Sequence, residues 1–395
     1  MNPLKITCLL SALSLSIPAI AEQASEDNAV ENENFSYKLG GKIRLRSETF
    51  ADLYSNNGGR EQENYLRRAD LELSGRLWRA MEYELELKLD RKGKAELKTA
   101  ELDYHLPANF SLALGRFDPD FGLELSGSST WITAAERSAI WDLADYAGDG
   151  SGGKGIAIRQ HQKHHFISLG QFSTQEGQVR DARLVYAPVQ KKRKLLHFGY
   201  SFAEALDADS NGEIKSDLGV WSVGFSDNGN SSKLAREISS GNFAKDTVEV
   251  LEFAAMRGPA SLQGEYLQRK LTGSSNQSNR SATGSYAQLA YTLTGEPRDY
   301  SIGNAKFGRI KPQRKSGAWE IFYRKDWLET NGETGMLSKK RKHGAAEVDV
   351  LGVNWYSLNN LKISANYLRG DTNGIDNDVG DIEGEAVTLQ AQIKF

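Results

Sequence analysis

Two arginines near residue 45 have a spacing that matters for chemistry. Arg44 and Arg46 alternate with Ile43 and Leu45. In an extended strand, residues i and i+2 point to the same side, so the two guanidinium groups share one face. A guanidinium presents a planar fork of N–H donors, which binds oxyanions or pairs with a neighbouring carboxylate. The chemistry open to this pair is therefore anion binding or ion pairing.

Acidic residues with the same spacing follow on a later segment. Glu84, Glu86 and Asp90 share a face with Lys88. A surface that carries both signs sets up a transverse field and is not uniformly positive. Paired carboxylates can also act in acid–base catalysis, but the sequence contains no Gly-rich phosphate loop, nucleophile elbow or HExxH motif. We therefore predict no catalytic residue and no enzymatic activity.

Two short stretches contain residue types that can hold a metal ion. His161, His164 and His165 supply three imidazoles, but they fall across a hairpin bend without a helical register. Residues 207–214 resemble the first half of a calcium-binding loop, but Leu218 occupies the place of the bidentate Glu. We predict a turn and a polar surface loop here, with no metal and no cofactor.

Strands must position these groups, and the last ten residues have the clearest strand pattern. One face consists of Val387, Leu389, Ala391, Ile393 and Phe395, and the other of Thr388, Gln390, Gln392 and Lys394. Strict period-two alternation is typical of a strand with one apolar face. In a closed outer-membrane barrel, this strand would pair with the first strand and place Phe395 in the periplasmic aromatic girdle.

The same alternation recurs from Phe35 onward. Segments of about ten residues, joined alternately by short turns and long polar connections, indicate one large barrel. Seventeen candidate segments fit the pattern, but an antiparallel barrel whose termini lie on one side closes with an even number of strands. The doubtful segment lies within 190–256, where one candidate can instead belong to a loop. We therefore predict an all-β fold, a transmembrane antiparallel barrel of about 16 strands.

The remaining segments are typical of an exported protein. Residues 1–21 have the pattern of a signal peptide, and Cys8, the single cysteine of the chain, lies within them. Removal of this segment would leave no disulfide option. The acidic residues 22–34 are predicted to form a disordered leader, and residues 35–395 the barrel domain. The formal net charge of −3 gives no basic excess and argues against a nucleic-acid partner.

The longest loop has an unusual composition. Residues 116–153 include the apolar side chains of Phe117, Phe121, Trp131, Ile140 and Trp141. A loop this apolar is expected to pack against protein. Because a 16-strand barrel is wide enough to leave an aqueous channel, we predict that this loop enters the lumen and narrows it as a constriction loop.

Several motifs resemble those of the phosphate-selective porins O and P. They are residues 65–70 (YLRRAD), 115–124 (GRFDPDFGLE), 135–138 (AERS), 293–300 (LTGEPRDY), 307–312 (FGRIKP), 317–320 (GAWE) and 352–356 (GVNWY). The resemblance implies a sixteen-stranded porin of the bacterial outer membrane, through which small hydrophilic solutes diffuse. The partners it implies are inorganic phosphate, polyphosphate or other small anions, outer-membrane lipid, and further copies of the chain in a homotrimer.

The resemblance also implies an anion path lined by basic residues. We assign the anion path and constriction to Arg44, Arg46, Arg68, Arg137, Arg309, Lys311 and Arg314. We assign the shape of the constriction loop to Phe117, Asp118, Phe121, Gly122, Trp131 and Glu136. A phosphate that loses water in a narrow pore regains charge-assisted hydrogen bonds from guanidinium groups, and several moderate sites let it enter and leave. For each arginine, the alternative role is a solvated or rim charge paired with an acid.

Two other functions stay open at this point. A non-selective general diffusion porin would need the barrel but no anion site. A non-channel protein of the outer membrane, or a secreted β-protein, would need neither a lumen nor a constriction.

Overall fold

Period-two alternation along the chain produces a closed β-barrel. The computed structural model describes residues 29–31, 35–78, 80–89, 93–144, 153–174, 177–206, 216–230, 243–273, 279–332, 343–358, 360–373 and 382–395. Within these residues, sixteen antiparallel strands form the barrel. The predicted fold class and strand number are confirmed.

The barrel strands are listed in chain order. They are β2 (Phe35–Asp52), β3 (Gly58–Leu77), β4 (Met81–Leu89), β5 (Ala95–Leu106), β6 (Phe110–Arg116), β7 (Lys154–His161), β8 (His165–Thr174), β9 (Gly177–Lys191), β10 (Lys194–Leu206), β11 (Phe243–Arg257), β12 (Ala260–Gly273), β13 (Arg280–Thr292), β16 (Ala318–Gly332), β17 (His343–Tyr356), β18 (Leu361–Asn373) and β19 (Ile382–Lys394).

The other described elements are short. They are β1 (Ala29–Glu31), the hairpin of β14 (Arg298–Ser301) and β15 (Lys306–Ile310), the single turn α1 (Leu123–Ser126), and the 3-10 turns Pro107–Asn109, Ala139–Leu143 and Trp221–Gly224. No helix in the described ranges is long and apolar enough to cross a membrane.

The last strand closes the barrel, as its pattern predicts. β19 pairs antiparallel with β2, with Ile393 opposite Ile43. The backbone N–H of Phe395 donates to the carbonyl of Gly41 at 3.0 Å. Because every barrel strand has two neighbours, the sheet has no free edge strand. The place of Phe395 in an aromatic girdle stays a prediction.

The surplus strand candidate at 217–226 is a loop. Residues 216–230, here called the mouth loop, contain the 3-10 turn Trp221–Gly224. Val220 and Val223 are buried in the apolar cluster inside the barrel, and the N–H of Ser222 donates to Glu48 Oε2 at 2.8 Å. Inward packing of a turn, and not pairing in the wall, explains the apolar residues that suggested a strand.

The N-terminal segments are only partly described. β1 pairs with residues 36–38 of β2. Ala29–Glu31 therefore form a strand, where the sequence predicted a disordered leader. The predicted signal peptide at 1–21 and the leader residues 22–28 and 32–34 lie outside the described residues, as does the acidic stretch 207–214.

The two sides of the lumen differ. We call β9–β13 with β16–β19 the filled side, because their inward Val, Leu, Ala and Phe side chains form one apolar cluster with two loops. One is the mouth loop, and the other comprises residues 117–144, here called the inner loop, which contributes Phe121, Ile140 and Leu143. These contacts place the inner loop inside the barrel. We call β2–β8 the open side, because a cavity separates much of this wall from the inner loop.

Candidate functional site: the cavity on the open side

The cavity has a volume of about 970 Å³ and a wall of mixed charge. Its lining comes from β2–β8, the inner loop, the β14–β15 hairpin and Lys394. Nine Asp or Glu residues and nine Lys or Arg residues line it, so it is not a uniformly positive tube. Glu84, Glu86 and Lys88 line it as the strand pattern predicts, and Asp90 lies outside the described residues.

Most acids of the wall are held in ion pairs. Lys42 Nζ lies 2.6 Å from Glu86 and 3.1 Å from Asp70. Lys98 contacts Glu86 at 3.1 Å and Asp118 of the inner loop at 4.0 Å. Eight of the nine lining acids have a Lys or Arg nitrogen within 4.0 Å. These acids are therefore committed to the protein's own cations.

A single arginine joins three further acids. Arg159 lies 2.6 Å from Glu101, 3.3 Å from Asp103 and 2.6 Å from Asp120. Burial would raise the pKa of Asp120, but the Arg159 guanidinium outweighs it and lowers that pKa. This cluster fixes the start of the inner loop to the wall.

Two of the predicted arginines line the cavity, and a third lies next to one of them. Arg44 and Arg68 are cross-strand partners on β2 and β3. Arg68 and Arg137 both line the cavity, and Arg44 donates to the carbonyl of Ser129 in the inner loop at 2.6 Å. We call Arg44, Arg68 and Arg137 the arginine cluster. Like charges directly opposite on neighbouring strands are destabilising, so an anion bound nearby would stabilise this arrangement.

The arginine cluster keeps unused hydrogen-bond donors. Arg137 donates to the carbonyls of Leu125 and Gly127 at 3.1 Å each. The Nε groups of Arg44, Arg68 and Arg137 are buried without a hydrogen-bond partner. In the described part of the chain, no carboxylate oxygen lies within ion-pair distance of Arg68 or Arg137. The cluster therefore differs from the acids around it, which are paired.

Arg46 has another role in the structure than the predicted anion path. Its guanidinium lies 2.5 Å from Glu136 of the inner loop, and Arg67 contacts the same carboxylate at 2.6 Å. Burial would raise the pKa of Glu136, but the Arg67 and Arg46 guanidinium groups outweigh this and hold it well below its usual range. Arg67 reaches the lumen through a register shift between Arg44 and Leu45, which simple alternation does not predict. This triad ties the inner loop to the wall.

The predicted basic residues of the 296–315 connection lie apart from the cluster. The β14–β15 hairpin enters the lumen, since Arg183 donates to the carbonyl of Ala305 at 2.8 Å and Arg298 to Thr133 at 2.8 Å. Arg309 lies with its guanidinium 5.9 Å from the Trp131 ring centroid. Lys311 and Arg314 do not line the cavity. Lys311 pairs with Asp299 at 2.5 Å, and Arg314 is exposed.

Three of the six residues assigned to loop shape, Phe117, Phe121 and Gly122, are buried. Phe117 packs edge-on against Phe172, with ring centroids 5.1 Å apart. Phe121 packs edge-on against Trp141 at 6.2 Å. Gly122 has φ of +65°, and a Cβ there would lie 2.2 Å from the Trp141 ring, so only glycine fits this bend.

Sequence reasoning missed the wall residues that hold the loop backbone. Lys362 Nζ donates to the carbonyls of Ile132 and Thr133 at 2.7 and 3.1 Å. Arg324 donates to the carbonyl of Glu136 at 3.0 Å. A charged residue in an otherwise uncharged inward series is the signal that would have found Lys362, which precedes Ser364 and Asn366.

Two of the three histidines make separate contacts. His164 Nδ1 lies 3.0 Å from the carbonyl of Ala187, and His165 Nε2 lies 3.1 Å from Gln160 Oε1. No group of three or more potential metal ligands occurs among the described residues.

A closed sixteen-strand barrel with folded-in loops defines a class of protein, the outer-membrane porins. Two solved porins share the fold. The trimer form of OmpT from Vibrio cholerae is 11% identical with a TM-score of 0.57, covering 92% of this chain and all of that one. An anion-selective porin from Comamonas acidovorans is also 11% identical with a TM-score of 0.57, covering 91% of this chain and all of that one.

Sequence comparison identifies the family. The model of the phosphate-selective porin O and P family matches residues 38–395. Porin O of Pseudomonas aeruginosa is 34% identical, over 93% of this chain and 90% of that protein. The chain belongs to the phosphate-selective porin O and P family, and it is a porin of the bacterial outer membrane.

Proposed function

We propose that the cavity conducts small anions by passive diffusion, with phosphate as the preferred solute. The observation that carries this is the difference in pairing: the acids of the wall have cations of their own, whereas Arg68 and Arg137 line the cavity without a carboxylate partner among the described residues. An anion in the cavity beside Arg68 and Arg137 would gain charge-assisted hydrogen bonds from their guanidinium groups. The relatives point the same way, since they are described as Porin O and as an anion-selective porin.

In this proposal, the inner loop is the constriction. The Glu136 triad and the Arg159 cluster hold it against the open side, so a solute must pass close to Arg68 and Arg137. Binding at moderate strength is required, because a conducted ion must also leave. No catalytic step is involved, and the protein acts as a channel. By similarity to a neighbour solved in trimer form, we propose a homotrimer.

Bilayer recording under a salt gradient tests the proposal. With purified protein in a planar membrane and a gradient of potassium chloride, the reversal potential should favour anions. Phosphate added to one side should then reduce chloride current, because it occupies the arginine cluster for longer. A pore with weak selectivity and no phosphate effect would instead be a general diffusion porin.

A further inference from the structure

Basic residues at one end of β9, β10 and β11 form a row across the barrel wall. In the strand register, Lys194 lies directly opposite Lys191 on one side and Arg257 on the other. All three side chains are exposed. We call Lys191, Lys194 and Arg257 the basic row. Lys192 and Arg193, in the turn between β9 and β10, add two further exposed cations beside it.

The basic row faces away from the lumen. Along β10, His197 is buried inside the barrel, whereas Phe198 is 46% exposed on the outside. Lys194 is four residues from Phe198 and therefore lies on the same face. On β11, Arg257 is four residues from the exposed Phe253 in the same way. Directly opposite residues of neighbouring strands share a face, so the whole row faces the surrounding membrane and does not line the cavity.

The basic row lies at the level of the lipid headgroups. The turn between β9 and β10 is short, and short turns mark the periplasmic end of outer-membrane barrels. Phe198 and Phe253 pack together with ring centroids 5.6 Å apart, and exposed aromatic rings of this kind mark the membrane interface. Lys194 lies about 13 Å further along its strand, and the flexible stem of a lysine extends this reach. The charges of the row therefore meet the phosphate groups of the periplasmic leaflet.

The described part of the chain supplies no acid that neutralises the basic row. Among the described residues, no carboxylate oxygen lies within ion-pair distance of Lys191, Lys194 or Arg257. Cross-strand neighbours of like charge repel each other, and Lys194 has one on each side. An anion bound between these side chains would therefore stabilise the row.

The other end of the same wall is paired differently. There, Lys245 of β11 pairs with Glu204 of β10, and Lys270 of β12 lies 3.7 Å from Glu249 of β11. These cations are about half exposed, and they are nevertheless neutralised by acids of the chain itself. Exposure alone therefore does not explain why the basic row lacks acid partners.

We propose that the basic row binds an anionic phospholipid of the periplasmic leaflet through the phosphate group of the lipid. The phosphate oxygens accept charge-assisted hydrogen bonds from the ammonium and guanidinium groups, and the acyl chains lie along the apolar wall beside Phe198 and Phe253. Basic side chains at a membrane surface attract anionic lipids. A zwitterionic headgroup fits less well, because its own ammonium group is repelled by the three cations.

The direction of the row decides between a lipid and a protein partner. An acidic protein of the periplasm would approach the turns from below the barrel, whereas the row faces sideways into the bilayer interface. The inference rests on the porin fold and its place in the outer membrane. It does not depend on the proposed anion path, because none of the three residues lines the cavity.

Lipid binding to the purified, folded protein tests the site. Native mass spectrometry in mild detergent measures retention of phosphatidylglycerol, which is anionic, and of phosphatidylcholine, which is zwitterionic. The wild type should bind phosphatidylglycerol in preference. A variant that combines Lys191→Gln, Lys194→Gln and Arg257→Gln should weaken this binding about 100-fold, since each cation near an anionic lipid contributes about a fivefold factor.

A matched control removes three exposed cations that have acid partners. Lys245→Gln, Lys270→Gln and Arg369→Gln together remove the same total charge, and phosphatidylglycerol binding should stay close to that of the wild type. Folding of both variants is checked by gel mobility before and after boiling. If the basic-row variant does not fold, Lys194→Gln alone, which removes the central cation, should still weaken binding.

Four results would overturn the proposal. The first is equal retention of the two lipids by the wild type, and the second is an equal loss in the basic-row variant and its control. The third is displacement of phosphatidylglycerol by inorganic phosphate, which would make the row a site for the dissolved ion. The fourth is capture of an acidic periplasmic protein by the wild type, lost in the basic-row variant, without any lipid preference.

Discussion

The filled side and the open side of the lumen both bury arginines, but they differ in how completely these arginines are paired with acids. On the filled side, Arg183 pairs with Glu252 at 2.7 Å and Arg324 with Asp326 at 3.0 Å. On the open side, Arg46 and Arg159 are paired with acids in the same way, whereas Arg68 has no such partner among the described residues. Both sides are inward faces of one sheet. Burial therefore does not distinguish these arginines, and we propose that the absence of an acid partner marks the ones that bind solute.

The same contrast explains how the inner loop narrows the lumen of a wide barrel. Apolar side chains of the filled side bind the inner loop through a shared core that contains Phe121, Ile140 and Leu143. Charged side chains of the open side contact it at discrete points, such as the ion pair of Arg159 with Asp120 and the hydrogen bond from Arg44 to the carbonyl of Ser129. A packed contact excludes water, whereas the ion-paired contact leaves a cavity of about 970 Å³.

The largest effect should come from breaking the tether between the two sides. Glu136→Gln removes the carboxylate shared by Arg46 and Arg67, and loss of one partner of a buried ion pair costs about 3–5 kcal/mol. We expect the inner loop to detach, so that the single-channel current becomes larger and noisier. The barrel itself should stay folded, so unboiled and boiled samples should differ in gel mobility as they do for the wild type. The control Glu383→Gln removes an exposed partner of Arg369 that does not line the cavity, and it should leave the current unchanged. Equal, quiet currents in Glu136→Gln and wild type would show that the triad does not hold the loop.

A smaller effect should follow from overpacking the filled side. A Cβ at Gly284 of β13 would lie 2.9 Å from Ile140 Cβ and from Leu143 Cδ1, so Gly284→Val should push the inner loop toward the open side. Overpacking costs about 1–3 kcal/mol. We expect a reduced single-channel conductance, because the displaced loop narrows the cavity. Ala287→Val, on the outward face of the same strand, is the matched control. A conductance equal to that of the control would argue against a loop seated on Gly284.

Much of the fold could be predicted from the sequence, since alternation is local. The pattern of residues 386–395 gives the closing strand, and β19 indeed pairs with β2. The segment 217–226 misled because apolar residues that pack inward as a turn look like those of a strand. Only the tertiary environment, with Val220 and Val223 in the lumen core, separates the two cases.

The site could be predicted only in part. Inward arginines follow from strand parity, so Arg44 and Arg68 were found. The acid that pairs with Arg46 cannot be predicted in this way, because Glu136 is about 90 residues away along the chain and meets Arg46 only when the loop folds in. Arg67 was missed since a bulge changes parity by one residue. Lys311 and Arg314 have the right charge, but their backbone lies beyond the hairpin that enters the lumen.

Phosphate block of chloride current in Arg68→Gln, compared with Lys98→Gln, tests the account most directly. Both residues line the same cavity and both substitutions remove one positive charge, but Lys98 is paired with Glu86 at 3.1 Å. Hydrogen bonds to charged groups contribute about 1.5–3 kcal/mol, which is about tenfold or more in affinity. The account predicts that Arg68→Gln weakens phosphate block by about that factor. In Lys98→Gln, phosphate should block the chloride current nearly as well as it does in the wild type. Equal block in the two variants would contradict the assignment of anion binding to the unpaired arginines.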